Sequence, residues 1–327
     1  MDLLTVSRIR KQQGASIILK DVSLTQQRFQ KIAVAGETGS GKSTLLKIIA
    51  GLVQPDAGEV LFENVRVKGP AEKLIPGHAS IAYLSQHFEL RNNYTIEEEL
   101  NYTNKLSDEE AATIFETCRI AQLLKRRTDQ VSGGEKQRIS IARLLISSPK
   151  LLLLDEPYSN LDMIHKNILK TVIREIGERL NITCMLVSHE PMEILSWAHK
   201  IIVLKEGVII QEGSPEKIYR QPVNEYVAAL FGGYNLISNE QTKKLFASDN
   251  FEVDGKDLFI RPENFKITDD GTQSFKGIVK NVVFLGGFYE IEVCINDVLI
   301  TVKTSKSNID KGDEIYLSLS ADEAWYL

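Results

Sequence analysis

Short, unbroken apolar runs recur along the first two thirds of the chain, each ending in a turn of small or charged residues. Lys31-Ile32-Ala33-Val34-Ala35, Leu151-Leu152-Leu153-Leu154-Asp155 and Ile182-Thr183-Cys184-Met185-Leu186-Val187 show no alternation of apolar and polar positions. Such runs predict strands buried on both faces, as in a parallel sheet covered by helices. A helical pattern from Asp162 to Leu180 separates the last two and supplies the crossover that a parallel pair needs. Further strands are expected at 3–10 and 17–24, on either side of Gly14, and at 58–67 and 79–85. From about 88 to 130 the β-branched runs disappear. Thr95-Ile96-Glu97-Glu98-Glu99-Leu100 and Ser107-Asp108-Glu109-Glu110 read as capped helix starts there, since a hydroxyl and a Glu three positions on satisfy the first backbone N–H groups reciprocally. An inserted helical subdomain is therefore expected. Beyond GGYNLISN (232–239) the pattern turns to short strands at 257–261, 275–285, 288–295, 298–304 and 313–319, which predicts a small all-β barrel or sandwich. The expected division is 1–235 and 236–327.

A length of 327 residues suits two such domains, each with its own core. The net charge of -5 is spread along the chain, and no Lys/Arg block offers an electrostatic footprint for nucleic acid, which is not an expected partner. Cys118, Cys184 and Cys294 lie too far apart for metal or disulfide spacing and read as small buried hydrophobes suited to a reducing compartment. Met1-Asp2-Leu3-Leu4-Thr5 lacks the basic and apolar regions of a signal peptide, and no run approaches the roughly 18 apolar residues of a membrane span. Any membrane role is expected to come through a partner.

The chemistry concentrates after the strand 31–35. Gly36-Glu37-Thr38-Gly39-Ser40-Gly41-Lys42-Ser43-Thr44 has the spacing G-x-x-x-x-G-K-[ST], between a strand and the amphipathic stretch Leu45 to Ala50. Its glycines let successive N–H groups curl inward around an anion, and the following helix adds its positive end. Lys42 would reach the β and γ phosphates of ATP or GTP, and the Ser43 hydroxyl is placed for Mg2+. Asp155 and Glu156 end the strand 151–155, where nucleotide sites of open α/β sheets lie. Asp155 suits Mg2+ through its water shell, and Glu156 suits polarisation of the attacking water. In VSGGEKQRISIAR (131–143), Ser132 and Glu135 form a capping box, yet Gly133 and Gly134 spend helix stability in the first turn. Close approach of a second phosphate to that backbone explains them.

Together these pieces resemble the ATP-binding subunits of ABC transporters over residues 1 to about 230. Gly36 to Thr44 matches the Walker A loop, Gln86 in YLSQ the Q-loop, VSGGE the signature, Leu151 to Glu156 the Walker B strand, SNLD (159–162) the D-loop and His189 in VSHE the switch histidine, all in the family's order. The resemblance implies a P-loop ABC-type α/β fold that binds ATP and Mg2+. It adds Gln86 to Ser43 and Asp155 as metal residues, and His189 to Glu156 as a catalytic group at the γ phosphate. It also implies a head-to-tail homodimer in which Ser132, Gly133 and Gly134 of one cassette cap the ATP held by Lys42 of the other. A coupling helix from a membrane permease would dock on the helical subdomain at the cytoplasmic face, with an extracytoplasmic substrate-binding protein acting indirectly. LFGGYNLI, IRPENFKI and FKGIVKNVVFLGGFYEIEV are similar to the transport-associated OB (TOBE) domain of importers for iron(III), polyamines, sulfate, molybdate or sugars. The alternative is a soluble ABC ATPase not coupled to transport. Relatives place an adenine-stacking aromatic where this chain has Gln13, and no Phe, Tyr or Trp precedes Phe29. His78, His87, His165 and His199 match no motif.

Overall fold

Every residue of strands β3 (Lys31–Ala35) and β7 (Leu151–Asp155) is buried, as is every residue of β8 (Thr183–Ser188). That absence of alternation is what a parallel sheet covered on both faces requires. The structure is a computed structural model that describes residues 2–85, 90–159, 161–188, 190–245, 255–269 and 274–327. Two compact units make it up, Met1–Pro215 and Glu216–Leu327.

In the first unit, β1 (Asp2–Gln13), β2 (Ser16–Gln27), β4 (Ala57–Phe62) and β5 (Val65–Arg66) form an antiparallel sheet of order β2-β1-β4-β5. Gly14 stands at the β1–β2 turn with φ 60, as the expected hairpin requires. A six-stranded sheet of order β10-β9-β3-β8-β7-β6 adds β6 (Ile81–Leu84), β9 (Lys200–Lys205) and β10 (Val208–Gly213). All its pairs are parallel except β9 with β10. Helix α1 (Lys42–Ile49) follows β3, and α5 (Met163–Arg179) with α6 (Pro191–Leu195) follow β7 and β8 respectively.

The inserted helices are α2 (Ile96–Asn101) and α3 (Asp108–Thr117), and both open with the expected capping boxes, Thr95 with Glu98 and Ser107 with Glu110. The signature helix α4 (Gly133–Leu145) is tied to them by an ion pair absent from the sequence reading. Glu99, whose side chain is 1% exposed, accepts from Arg143 at 2.6 Å and from Arg91 at 2.7 Å.

Among its described residues the second unit has three α-helices that were not expected, α7 (Pro215–Arg220, at its border), α8 (Glu225–Leu230) and α9 (Asn239–Leu245). Its described strands form two antiparallel sheets. One has β11 (Asn235–Ile237), β12 (Leu258–Ile260) and β18 (Trp325–Tyr326). The other runs β13 (Lys266–Thr268), β17 (Glu314–Ser318), β14 (Phe275–Phe284), β15 (Tyr289–Ile295) and β16 (Val298–Thr304). Residues 216–235, grouped above with the nucleotide-binding part, fall in this unit. Arg261 supplies the reason. Its guanidinium, on a residue 1% exposed, donates to the carbonyls of Tyr219, Ala228, Gly232 and Gly233. It also lies over the rings of Tyr219 and Phe259 at 4.1 and 4.9 Å. A buried guanidinium needs its donors satisfied, and here helix-end carbonyls do it in place of a carboxylate.

Candidate nucleotide site

The loop between β3 and α1 is built around two glycines that no other residue can replace. A Cβ on Gly36 would lie 2.1 Å from the carbonyl oxygen of Leu204 on β9, and one on Gly41 would lie 2.8 Å from that of Ile18. Gly41, at φ 102, is also the residue from which α1 starts. The neighbouring β9–β10 turn braces the loop, as Gly207 N–H donates to Ser40 O at 3.1 Å. Lys42 is 4% exposed, and its ammonium donates to the carbonyls of Gly36 at 2.8 Å and Glu37 at 2.7 Å. Burial pulls its pKa below the ordinary lysine range against the opposing pull of Glu156, Asp155 and Glu37. An anion offered to this loop meets a cation already stripped of most of its water. Thr38, Gly39, Gly41, Lys42, Ser43 and Thr44 line an open pocket of 460 Å³ together with Glu156 and Ile18.

Asp155 reaches the same place from the end of β7. Its Oδ1 accepts from Ser43 Oγ at 2.8 Å and its Oδ2 from the Tyr83 hydroxyl at 2.7 Å. Tyr83, at the end of β6, was missed by the sequence reading, although its place three residues before Gln86 on the neighbouring strand was the available signal. Burial, reinforced by the Asp155 carboxylate, pushes its phenol pKa far above the ordinary range, so it stays a donor. The Ser43 and Asp155 oxygens stand 2.8 Å apart. That is a hydrogen-bond distance, and it puts two hard oxygen donors side by side at the pocket, a pair that fits Mg2+ with Ser43 as a direct ligand and Asp155 acting through the water shell. Among the described residues no cluster of three or more His, Cys, Asp or Glu exists. A cation here would depend on phosphates and water for its remaining ligands.

Glu156 leaves β7 in the left-handed region at φ 49, while its N–H donates to Val187 O at 3.0 Å. A non-glycine residue held there carries strain on the order of 1 kcal/mol, and strain of this kind collects at functional sites. Ser159, in the D-loop segment, donates to Glu156 Oε2 at 3.2 Å.

Ser132 caps α4 as expected. Its Oγ accepts from Glu135 N–H at 3.3 Å, and its own N–H donates to Glu135 Oε2 at 2.8 Å. The cap uses a lone pair of Ser132 and leaves the hydroxyl proton available to an anion. The two glycines differ. A Cβ on Gly133 would meet nothing within 4 Å, whereas one on Gly134 would lie 2.7 Å from His165 Cδ2. Close approach by an incoming group is a sufficient reason only for Gly133. Ser132, Gly133 and Gly134 do not line the Lys42 pocket of their own chain. Neither does Gln13, which sits exposed at the end of β1 opposite Ser16, while Ile18 on β2 does. Gln86 and His189 lie outside the described residues.

The family model "ABC transporter" matches residues 19–159, and the model "TOBE domain" matches 258–327. The chain is similar to the spermidine/putrescine import ATP-binding protein PotA of Clostridium acetobutylicum, with 30% identity over 98% of this chain and 95% of the relative. It is similar to the glucose import ATP-binding protein GlcV of Saccharolobus solfataricus, with 31% identity over 97% of this chain and 96% of the relative. Among solved structures, an ATP-binding cassette of an ABC transporter in its ADP conformation superposes with a TM-score of 0.60 at 25% identity, covering 71% of this chain and 98% of that one. At this identity over nearly the whole length of both chains, and on a fold that the solved cassette shares, the chain belongs to the ATP-binding subunits of ABC transporters.

Proposed function

We propose that the protein is the ATP-hydrolysing subunit of an importer, working as a head-to-tail dimer on the cytoplasmic face of a membrane permease. The observation that carries this reading is the meeting of Lys42 and Ser43, which follow β3, with Asp155 and Glu156 at the end of β7, two parallel strands that lie on either side of β8. Phosphate charge is met by Lys42, by the loop N–H groups and by the start of α1. Ser43 and Asp155, with Gln86, would hold Mg2+, which supplies charge neutralisation on the β and γ phosphates. Glu156 is oriented by Ser159 toward the same pocket and is the candidate base, with His189 as its companion at the γ phosphate. Ser132, Gly133 and Gly134 of the second copy would close the pocket, and hydrolysis would reopen it, converting ATP turnover into movement of the permease.

Among the described residues no helix is long and apolar enough to cross a membrane. Contact with the permease is therefore assigned to the protein's surface, and an extracytoplasmic binding protein would act through the permease. Relatives of 28 to 31% identity are named for import of spermidine/putrescine, iron(III), glucose and sulfate/thiosulfate, which supports a cargo in the polyamine, sugar, iron(III), sulfate or molybdate class that the TOBE resemblance implies. The deciding experiment compares Glu156→Gln with Lys42→Ala in the permease complex. The first should bind ATP and not turn it over; the second should not bind. Turnover by Glu156→Gln at the parental rate would remove Glu156 as the base.

A further inference from the structure

We infer that the first turn of α5 is the junction that fixes the signature turn to the D-loop and to the segment after β8, with His165 and Lys166 as positioning residues for hydrolysis. His165 matches no motif, yet it is gripped from two sides. Asp162, the N-cap of α5, accepts from the His165 backbone N–H at 3.0 Å and faces its ring Nδ1 at 2.6 Å. A carboxylate only accepts, so Nδ1 carries the proton and the ring orientation is set. The opposite edge of the ring rests on Gly134, where a Cβ would lie 2.7 Å from Cδ2 and 2.9 Å from Cγ. The D-loop aspartate thus reaches the signature glycine through a single imidazole.

Lys166, the next residue, points elsewhere, because successive side chains on a helix diverge by about 100°. Its side chain is 11% exposed, and its ammonium bridges Glu190 at 2.6 Å and Glu193 at 2.7 Å. Glu193 lies on α6, and Glu190 directly precedes that helix. Lys170, one turn on, adds a bond to Glu193 at 2.9 Å. Farther along α4, the Gln137 amide donates to Pro157 O, just past Glu156. Three loops that the function assigns to one reaction are thereby held against one rigid turn. A shift of the signature turn must move His165, and with it Asp162 and the Glu190–Glu193 segment. Catalytic groups misplaced by about 1 Å lose rate steeply, which gives this packing its leverage.

The inference rests on the reading that Ser132 to Gly134 act on a nucleotide, so the test carries Ser132→Ala as a control. Purified full-length protein is assayed for steady-state ATPase and, separately, for equilibrium ATP affinity. His165→Ala should lower kcat by about tenfold while KM and ATP affinity stay within about twofold, because no residue of the Lys42 pocket is touched. His165→Gln, which can donate to Asp162 and lay a planar amide on Gly134, should restore most of the rate. His165→Leu fills the space without the hydrogen bond and should not. Lys166→Met should behave like His165→Ala, and Lys166→Arg like the parent. Should His165→Ala fail to fold, the Gln and Leu variants decide on the same criteria. Parental kcat in His165→Ala, or equal impairment in Gln and Leu, overturns the inference. If Ser132→Ala lowers turnover and the His165 variants do not, this inference alone fails; if Ser132→Ala is also silent, the signature reading fails with it.

Discussion

Replacing Tyr83 by Phe removes one oxygen from a buried site and should weaken the whole nucleotide-binding unit. Asp155 is 3% exposed, and its two carboxylate oxygens are satisfied by neutral hydroxyls, from Ser43 at 2.8 Å and from Tyr83 at 2.7 Å. The Tyr83 ring packs against the core of β3, β7 and α1, and Phe keeps that packing. What is lost is a hydrogen bond to a charged acceptor, with the carboxylate oxygen left without a partner. Bonds of this kind contribute about 1.5 to 3 kcal/mol. A loss of about 2 kcal/mol in a unit of this size corresponds to a fall in melting temperature of roughly 4 to 8 °C. Calorimetry can follow the transition of residues 2–215 apart from that of the tail, since the two units need not unfold together. The same substitution in an Asp155→Asn background should cost clearly less, because the acceptor is then neutral. A melting point within about 1 °C of the parent, or an equal loss in both backgrounds, would refute the assignment of Tyr83 as the donor that supports Asp155.

Other outcomes follow from other parts of the molecule. Gln13→Tyr should tighten ATP binding about tenfold and raise its discrimination from GTP, as expected if an aromatic face recovers about 1.4 kcal/mol of base stacking; competition titrations against the parent will show whether Ile18 already holds the base. A fragment of residues 216–327 should fold cooperatively, while 240–327, which lacks the carbonyl partners of Arg261 at 219, 228, 232 and 233, should melt lower or not fold, as read by circular dichroism. Burial pushes the Cys118 and Cys184 thiols up to about 12, so in native protein at pH 8 only Cys294 should react rapidly with a thiol reagent. Because the folded values are raised, the stability linked to these thiols is complete below the unfolded thiol range and is lost as pH climbs toward 12, which denaturant titrations between pH 8 and 11 will report.

Local patterns carried much of this into the sequence. The phosphate loop is nine consecutive residues, and the capping boxes at Thr95, Ser107 and Ser132 each span four, so neighbours in the chain are the neighbours that interact. Strands 151–155 and 298–304 begin and end where expected. The rest depends on residues far apart. Ser43 meets Asp155 across 112 positions, and Tyr83 meets it across 72. β9 is a four-residue apolar run between lysines, too short to be told from a turn of buried helix by periodicity. Gly134 was read as making room for a second phosphate, and within the chain the group that crowds it is His165. The composition break at Gly232-Gly233 suggested a boundary, yet their carbonyls are bound by Arg261, so the break marks a tight turn inside the second unit.

The strands that carry the site raise a problem of register that their sequences do not solve. In a half-buried strand, alternation fixes the pairing, because a one-residue slip turns the apolar face to water. β3, β7 and β8 are buried throughout, so a slip would exchange one apolar residue for another at little hydrophobic cost. It would nevertheless move Asp155 by ~3.3 Å and turn it to the opposite face, away from Ser43. The polar ends must therefore hold the register. At one end, Lys31 reaches Glu178 at 3.4 Å, while its backbone N–H and C=O pair with the His199 ring and backbone N–H at 3.2 and 2.8 Å. At the other, Asp155 is held by Ser43 and Tyr83, and pairing of Ala35 with Ser188 and of Asp155 with Val187 brings the three strand ends to one level. The groups assigned to the metal site are thus also those that align the sheet. This is why the loss of one hydroxyl at Tyr83 is expected to be felt both in stability and at the proposed phosphate and Mg2+ site.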